Sequence, residues 1–310
     1  MSRRAARCMS PGRSTRRAWC RARAMAGKRV LLPYGLSLPA AAVLTVFMTA
    51  PLVMVLLLSF NSFTMATGIQ PGFKLANYIE VLGDSYFHTI FGRTFLLALW
   101  VTGISILIGA PEAYVIHRMR PPWRSIFLLV ILGPLLVSVI VRTLGWAVLL
   151  GRGGMVNTVL VKLGVLERPM EFMYSFTGMT VALVHVLVPF MVLSVWTSLR
   201  RLDPAVEAAG LSLGASQWTV LRRIVLPQAV PGILAGSLIV FTLAASAFAT
   251  PAIVGGRRLK VAAMAAYDEF LNSQNWPLGA AIVVVLLVAM VAIVMIYNRL
   301  VERRFKQVFQ

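Results

Sequence analysis

The chain has 310 residues, of which 59% are hydrophobic and only 13% charged, with a mean hydropathy of +0.81. A water-soluble domain of this size needs far more polar surface, so these proportions exclude one and place the chain in a bilayer. The net charge of +20 invites a nucleic-acid reading, which the placement of the basic residues along the chain removes.

A basic tail, residues 1–33, opens the chain and holds ten Lys and Arg residues by Arg29. It reads as an orientation signal that also meets anionic lipid. Met25 offers a second start for translation. The Arg16-Arg17 pair reads poorly as an export signal, because the apolar run behind it is too long and lacks a small-residue cleavage site. Cys8 and Cys20 both lie in this tail, where a reducing compartment implies neither a disulfide nor a metal site.

Six apolar runs follow, near 36–59, 94–111, 126–150, 178–199, 231–250 and 278–298. Each is long enough to cross about 30 Å of hydrocarbon as a helix. The first transmembrane helix is expected over 34–60, with Pro39 and Pro51 inside it, and an external segment over 61–91. In that segment Tyr78, Ile79, Leu82, Tyr86 and Phe87 recur at helical spacing, which predicts one short helix on the outer surface. The remaining spans form one transmembrane domain, 92–299, with a cytoplasmic C-terminal tail at 300–310. External loops carry a short amphipathic helix from Val156 to Leu163 and a Gly255-Gly256 turn. Gly232 and Gly236 in the fifth span form a small-xxx-small pair suited to close helix contact.

With the N-terminus in the cytoplasm, 21 of the 30 basic residues fall inside and seven outside. This is the positive-inside distribution, with both termini cytoplasmic. The charge is thus an orientation signal, and no nucleic-acid partner is implied. No G-x-x-x-x-G-K-[ST], G-x-S-x-G or His-Glu-x-x-His occurs, and the three histidines are scattered. The chain is therefore expected to be non-catalytic and to bind no cofactor itself.

Residues 200–230 form the one long polar loop expected inside. It starts a helix at Asp203-Pro204, breaks at Gly214, and is expected to stop at Pro227 and Pro231. Its pattern is Glu207-Ala208-Ala209-Gly210, then Gly214, then nine residues to Ile224-x-Leu226-Pro227. Here the chain resembles the membrane subunits of binding-protein-dependent ABC importers, whose signature is Glu-Ala-Ala, three residues, Gly, nine residues, Ile-x-Leu-Pro. The spacing from Gly214 to Pro227 agrees in full. The acidic residue does not, since the signature wants it at Ala208 and this chain has it at Glu207. Stretches such as GRGGMVNTVLVKLGVLERP, LPQAVPGILAGSLIVF and ATPAIVGG look like the branch that carries spermidine and putrescine.

The resemblance implies an all-α permease of the ABC type-1 transmembrane fold in a bacterial inner membrane. It further implies a cytoplasmic ATPase dimer that uses ATP and Mg, a second homologous permease or a second copy, and an external solute-binding protein. The 200–230 loop would be the coupling element, with Gly214 as its bend and Leu211, Leu213, Val220 and Leu221 packing it onto the span ends. The cargo would be a polyamine, or alternatively another small organic solute. A proton-driven secondary transporter would need intramembrane carboxylates, of which mid-span positions hold almost none. A non-transporting scaffold is the third alternative.

Arg142, near a span end, either snorkels to the interface or faces the pathway as a gate, with Trp146 and His185 as companions. Trp146, Trp196 and Trp276 also fit an interfacial belt. Glu112, at the inner end of the second span beside His117 and Arg118, is expected to be an interfacial pair with them rather than a proton relay. Asp268 and Glu269 either attract a cationic solute at an external entry or belong to a solvated docking loop.

Overall fold

The computed structural model describes residues 38–305. The basic tail with Cys8, Cys20 and Met25, and Lys306 in the C-terminal tail, lie outside the described residues. Two units divide the chain, Met1–Leu57 and Leu58–Gln310. Helix α1, Leu38–Leu58, accounts for the described part of the first and is apolar apart from Thr45 and Thr49.

The second unit opens with an antiparallel hairpin, β1 (Ser62–Thr64) and β2 (Gly68–Gln70), with Phe63 opposite Ile69. The chain then passes through α2 (Ala76–Gly83) into the long helix α3 (Ser85–Arg118). Buried Asn77 fastens the hairpin to α2 by donating to the carbonyls of Ser59 and Asn61, each at 2.8 Å. The expected single surface helix is thus two helices. Asp84 ends α2 in extended backbone and caps α3, its carboxylate accepting from the Tyr86 N–H at 2.8 Å. Phe87 consequently turns into the core, whereas Ile79 and Leu82 face out.

Helices α4 (Trp123–Leu136) and α5 (Val139–Leu150) divide the third expected span. Val137 and Ser138 are extended between them, three residues after Pro134 and inside a β-branched run that favours extended backbone. The short α6 (Met155–Lys162) leads to α7 (Phe176–Leu199), which carries apolar side chains on every face. Such a helix belongs in the middle of the packing. About two-thirds of its most apolar stretch is buried, against α3 on one side and α10 on another.

The polar loop folds as α8 (Pro204–Ser212) and α9 (Gln217–Val220), and α9 runs on through a π-helical stretch, Leu221–Val225, into α10 (Leu226–Ala245). Pro227 and Pro231 were expected to stop the chain, and they do not. Pro227 sits in the first turn of α10, where no N–H is needed. The π-helical turn before it, with the Leu226 N–H on the Leu221 carbonyl, absorbs the missing donor. Gly232 and Gly236 bring α10 against α7: a Cβ on Gly232 would lie 2.7 Å from the Ser194 carbonyl oxygen. The Ser194 and Ser198 hydroxyls donate to the Gly232 and Gln228 carbonyls across that contact, at 2.9 and 2.7 Å.

A second π-helical turn, Pro251–Gly255, precedes α11 (Ala262–Leu271) and the final helix α12 (Trp276–Phe305). Among the described residues, six helical segments are long and apolar enough to cross a membrane, as expected. They begin with α1 and α3, continue as Val139–Lys162, α7 and Gln217–Ala245, and end with Trp276–Arg303; α4 is a shorter apolar helix.

Candidate functional site

Two constellations carry functional chemistry. The first is the elbow of α8, Gly214 and α9. Asp203 begins it, accepting from the Ala205 N–H at 2.9 Å with Pro204 behind it. At the far end Gly214 adopts φ +83°, a left-handed turn that only glycine enters at little cost. Ser216 then caps α9 by accepting from the Thr219 N–H at 3.2 Å. Gly210 lets the two arms close, because a Cβ there would lie 2.9 Å from Ile224 Cδ1.

Glu207 is buried, and its carboxylate is taken up by the Arg118 guanidinium at the end of α3. Moving the acidic residue from 208 to 207 turns its side chain by roughly 100° on a helix. That rotation carries it off the outer face, where Ala208 and Ala209 now lie. Val220 is buried as expected, but Leu213 is 88% exposed, and Leu211, Val206 and Trp218 are exposed as well. The expectation that Leu211 and Leu213 pack on the span ends is therefore wrong. Only the face bearing Glu207 and Gly210 turns inward, and the loop presents an apolar outer surface. Leu226 is exposed and Pro227 lies in the α10 helix, beyond the elbow.

The second constellation surrounds the α4–α5 break. One turn apart on α5, Arg142 and Trp146 share a face. The Trp146 indole N–H donates to His185 Nδ1 on α7 at 3.1 Å, edge to ring. With Nδ1 accepting, the His185 proton sits on Nε2. Arg142 Nε and Nη1 have no hydrogen-bond partner among the described residues. The three residues grouped by sequence as pathway candidates thus do come together. Beside them lies a cavity of about 450 Å³ between α3, α4, α5 and α7, lined by Glu112, Trp146, Thr180 and His185 with apolar walls.

Glu112 was expected to pair with His117 and Arg118. Arg118 instead belongs to Glu207, and Arg124 donates to the carbonyls of His117 and Met119. The correction was available from spacing: five and six residues along a helix are not neighbours, whereas three and four are.

At the far end of the second unit, Asp268 is held by Lys260 and by the Asn272 amide at 2.9 Å. Its own hydrogen bond to Asp268 holds the Lys260 ammonium above its ordinary 10.5. Burial pushes the Glu269 carboxyl upward from 4.5. Arg93 of α3 ties down this loop by donating to the Lys260 carbonyl at 3.1 Å. Neither carboxylate is a free charge on open surface.

A model of the family "Binding-protein-dependent transport system inner membrane component" matches residues 36–307. This chain belongs to that family. It is a permease subunit of an ABC importer and a multi-pass protein of the inner membrane. Among curated proteins the permease is 30% identical over 256 residues to the spermidine/putrescine permease protein PotB of Salmonella typhimurium, covering 83% of this chain and 89% of that one. To PotB of Haemophilus influenzae it is 29% identical over 261 residues, covering 83% and 91%. It is also 28% identical over 240 residues to the sulfate permease protein CysW of Synechocystis, covering 76% and 82%. The fold resembles that of a bacterial alginate ABC importer, with a TM-score of 0.73 at 18% identity over 89% of this chain and 96% of the other.

Proposed function

We propose that this permease forms half of the translocation pathway of an ATP-driven importer for a polyamine of the spermidine and putrescine class. The cargo assignment rests on one observation, the likeness to PotB proteins over more than four-fifths of the chain. Both termini are cytoplasmic. The partners are a second homologous permease, an external solute-binding protein, and an ATPase dimer that binds ATP and Mg in place of this chain.

The elbow is the handle gripped by the ATPase. The outer face of α8, with Ala208, Leu211 and Leu213, meets the motor. Glu207 and Gly210 couple the inner face to α3 and to the π-helical stretch that leads into α10, through Arg118 and Ile224. Glu207 is thus an internal brace, and the contact with the ATPase falls to its outward neighbours. When the motor closes, the elbow carries both helices with it, and the permease switches between inward-open and outward-open states. Coupling requires only that ATPase and cargo each favour one of these states.

The test is uptake of labelled putrescine by the complete importer in proteoliposomes. ATP-dependent, competitive accumulation of putrescine and spermidine is the expected result. Uptake that persists without the ATPase and collapses with a proton gradient would instead favour a secondary transporter. A second cargo reading has one observation behind it: Arg142 keeps two buried nitrogens with no hydrogen-bond partner among the described residues, a positive group that suits an anionic solute. Sulfate added to the same assay separates the two.

A further inference from the structure

We infer that Glu112 is the group in this chain that binds an ammonium of the cargo inside the pathway. The inference rests on the importer reading above and names a residue that the coupling signature does not contain.

Glu112 stands about four-fifths of the way along a membrane-spanning helix, six residues before its end at Arg118, partly buried, with no ion-pair or hydrogen-bond partner among the described residues. Among the described residues its ionised carboxylate has no counter-charge, which a cation entering the cavity would supply. The nearby cations do not supply it. Arg118 is committed to Glu207, Arg124 caps the end of α3, and Arg142 is not part of the cavity wall. One turn earlier, Gly109 packs α3 against Met191 and Val192 of α7. The carboxylate shares the cavity wall with Val188 and Pro189 of α7.

The walls fit one ligand chemistry. The carboxylate offers acceptors, as does the Thr180 hydroxyl, whose own proton is spent on the Phe176 carbonyl at 2.8 Å. The Trp146 ring, pinned by its hydrogen bond to His185, presents a π surface that attracts a cation. Between these polar points the lining is aliphatic, from Ile104, Ile108, Ile131 and Val184. An alkylammonium matches that alternation, its nitrogen on Glu112 and its methylenes along the apolar wall. A free anion does not, since Glu112 repels it.

The experiment uses the complete importer in proteoliposomes with ATP, comparing wild type, Glu112→Gln, Glu112→Asp and a control, Glu302→Gln. In the wild type, no uptake of putrescine or spermidine means that the polyamine reading has failed, whatever Glu112 does. Given wild-type uptake, Glu112→Gln is expected to lower kcat/KM at least tenfold. Glu112→Asp should retain a clearly larger share, and stimulation of ATP hydrolysis by the loaded binding protein should stay within twofold. Putrescine uptake by an assembled Glu112→Gln complex within twofold of wild type overturns the inference. Should Glu112→Gln not assemble, labelling of wild-type Glu112 by dicyclohexylcarbodiimide, read by mass spectrometry, decides. Protection by millimolar putrescine but not by sodium chloride of equal ionic strength supports the site. Equal labelling in both contradicts it.

Discussion

Replacing Gly214 by valine tests the elbow at its weakest point. The residue sits at φ +83°, and a Cβ added there meets nothing within 4 Å. The substitution therefore adds backbone strain with no steric clash. An L side chain in this region costs about 1–2 kcal/mol, with a β-branched one at the upper end. About 2 kcal/mol lowers the population of the native corner roughly 30-fold against a relaxed one. Gly164, after α6, provides the control, since it has φ +70° and equally open surroundings. Both valine variants should lose similar thermal stability. Only Gly214→Val should reduce cargo transported per ATP hydrolysed, by about tenfold if the strained corner limits the stroke. Wild-type coupling in Gly214→Val, or equal uncoupling in Gly164→Val, would refute the reasoning.

The brace between α3 and α8 makes an asymmetric prediction. The Arg118 side chain is 42% exposed and that of Glu207 only 11%. Glu207→Ala leaves an arginine that can reach water, at about 1 kcal/mol, whereas Arg118→Ala strands a buried carboxylate and costs about 2–3 kcal/mol. Melting curves in detergent should rank the variants so, with the double variant no worse than Arg118→Ala alone. Trp146→Phe removes the donor to His185 Nδ1, so the ring ¹⁵N shifts of His185 should move from a pure Nε2–H pattern to a tautomer mixture; unchanged shifts would mean the bond is absent. Burial raises the Glu269 carboxyl above 4.5, so its ionised form weakens the fold at neutral pH and its neutral form does not. Glu269→Gln should therefore melt higher than wild type at pH 8, with the gap closing as the pH falls towards 4.5 and gone below it. A gap independent of pH would contradict burial as the cause.

The spans were legible because about twenty apolar residues in a row admit one structure in a bilayer. The elbow was legible because Asp203-Pro204 and Gly214 are local signals whose meaning does not depend on distant partners. What escaped depends on rotation and on neighbours far along the chain. Hydrophobicity alone suggested that Leu211 and Leu213 pack inward, but the inward face is set by Gly210 meeting Ile224 and Glu207 meeting Arg118, a contact 89 residues apart. Pro227 read as a stop because a π-helical turn leaves no mark in a sequence. In the external segment, one helical period was read straight across Asp84, a residue well suited to capping a new helix. Glu112 needed only the helical spacing rule to be detached from Arg118, but its cavity exists only once α4 and α5 are separated. The signal for that separation, Pro134 followed by a β-branched run, was present in the sequence.

Leu213→Cys, in a background with Cys8→Ser and Cys20→Ser, puts a single thiol on the exposed outer face of the elbow. A membrane-impermeant maleimide should label it in inside-out vesicles stripped of ATPase, leave it untouched in right-side-out vesicles, and be blocked once the ATPase rebinds. Labelling from the outside, or labelling that the ATPase leaves unchanged, would contradict a cytoplasmic handle driven by that motor.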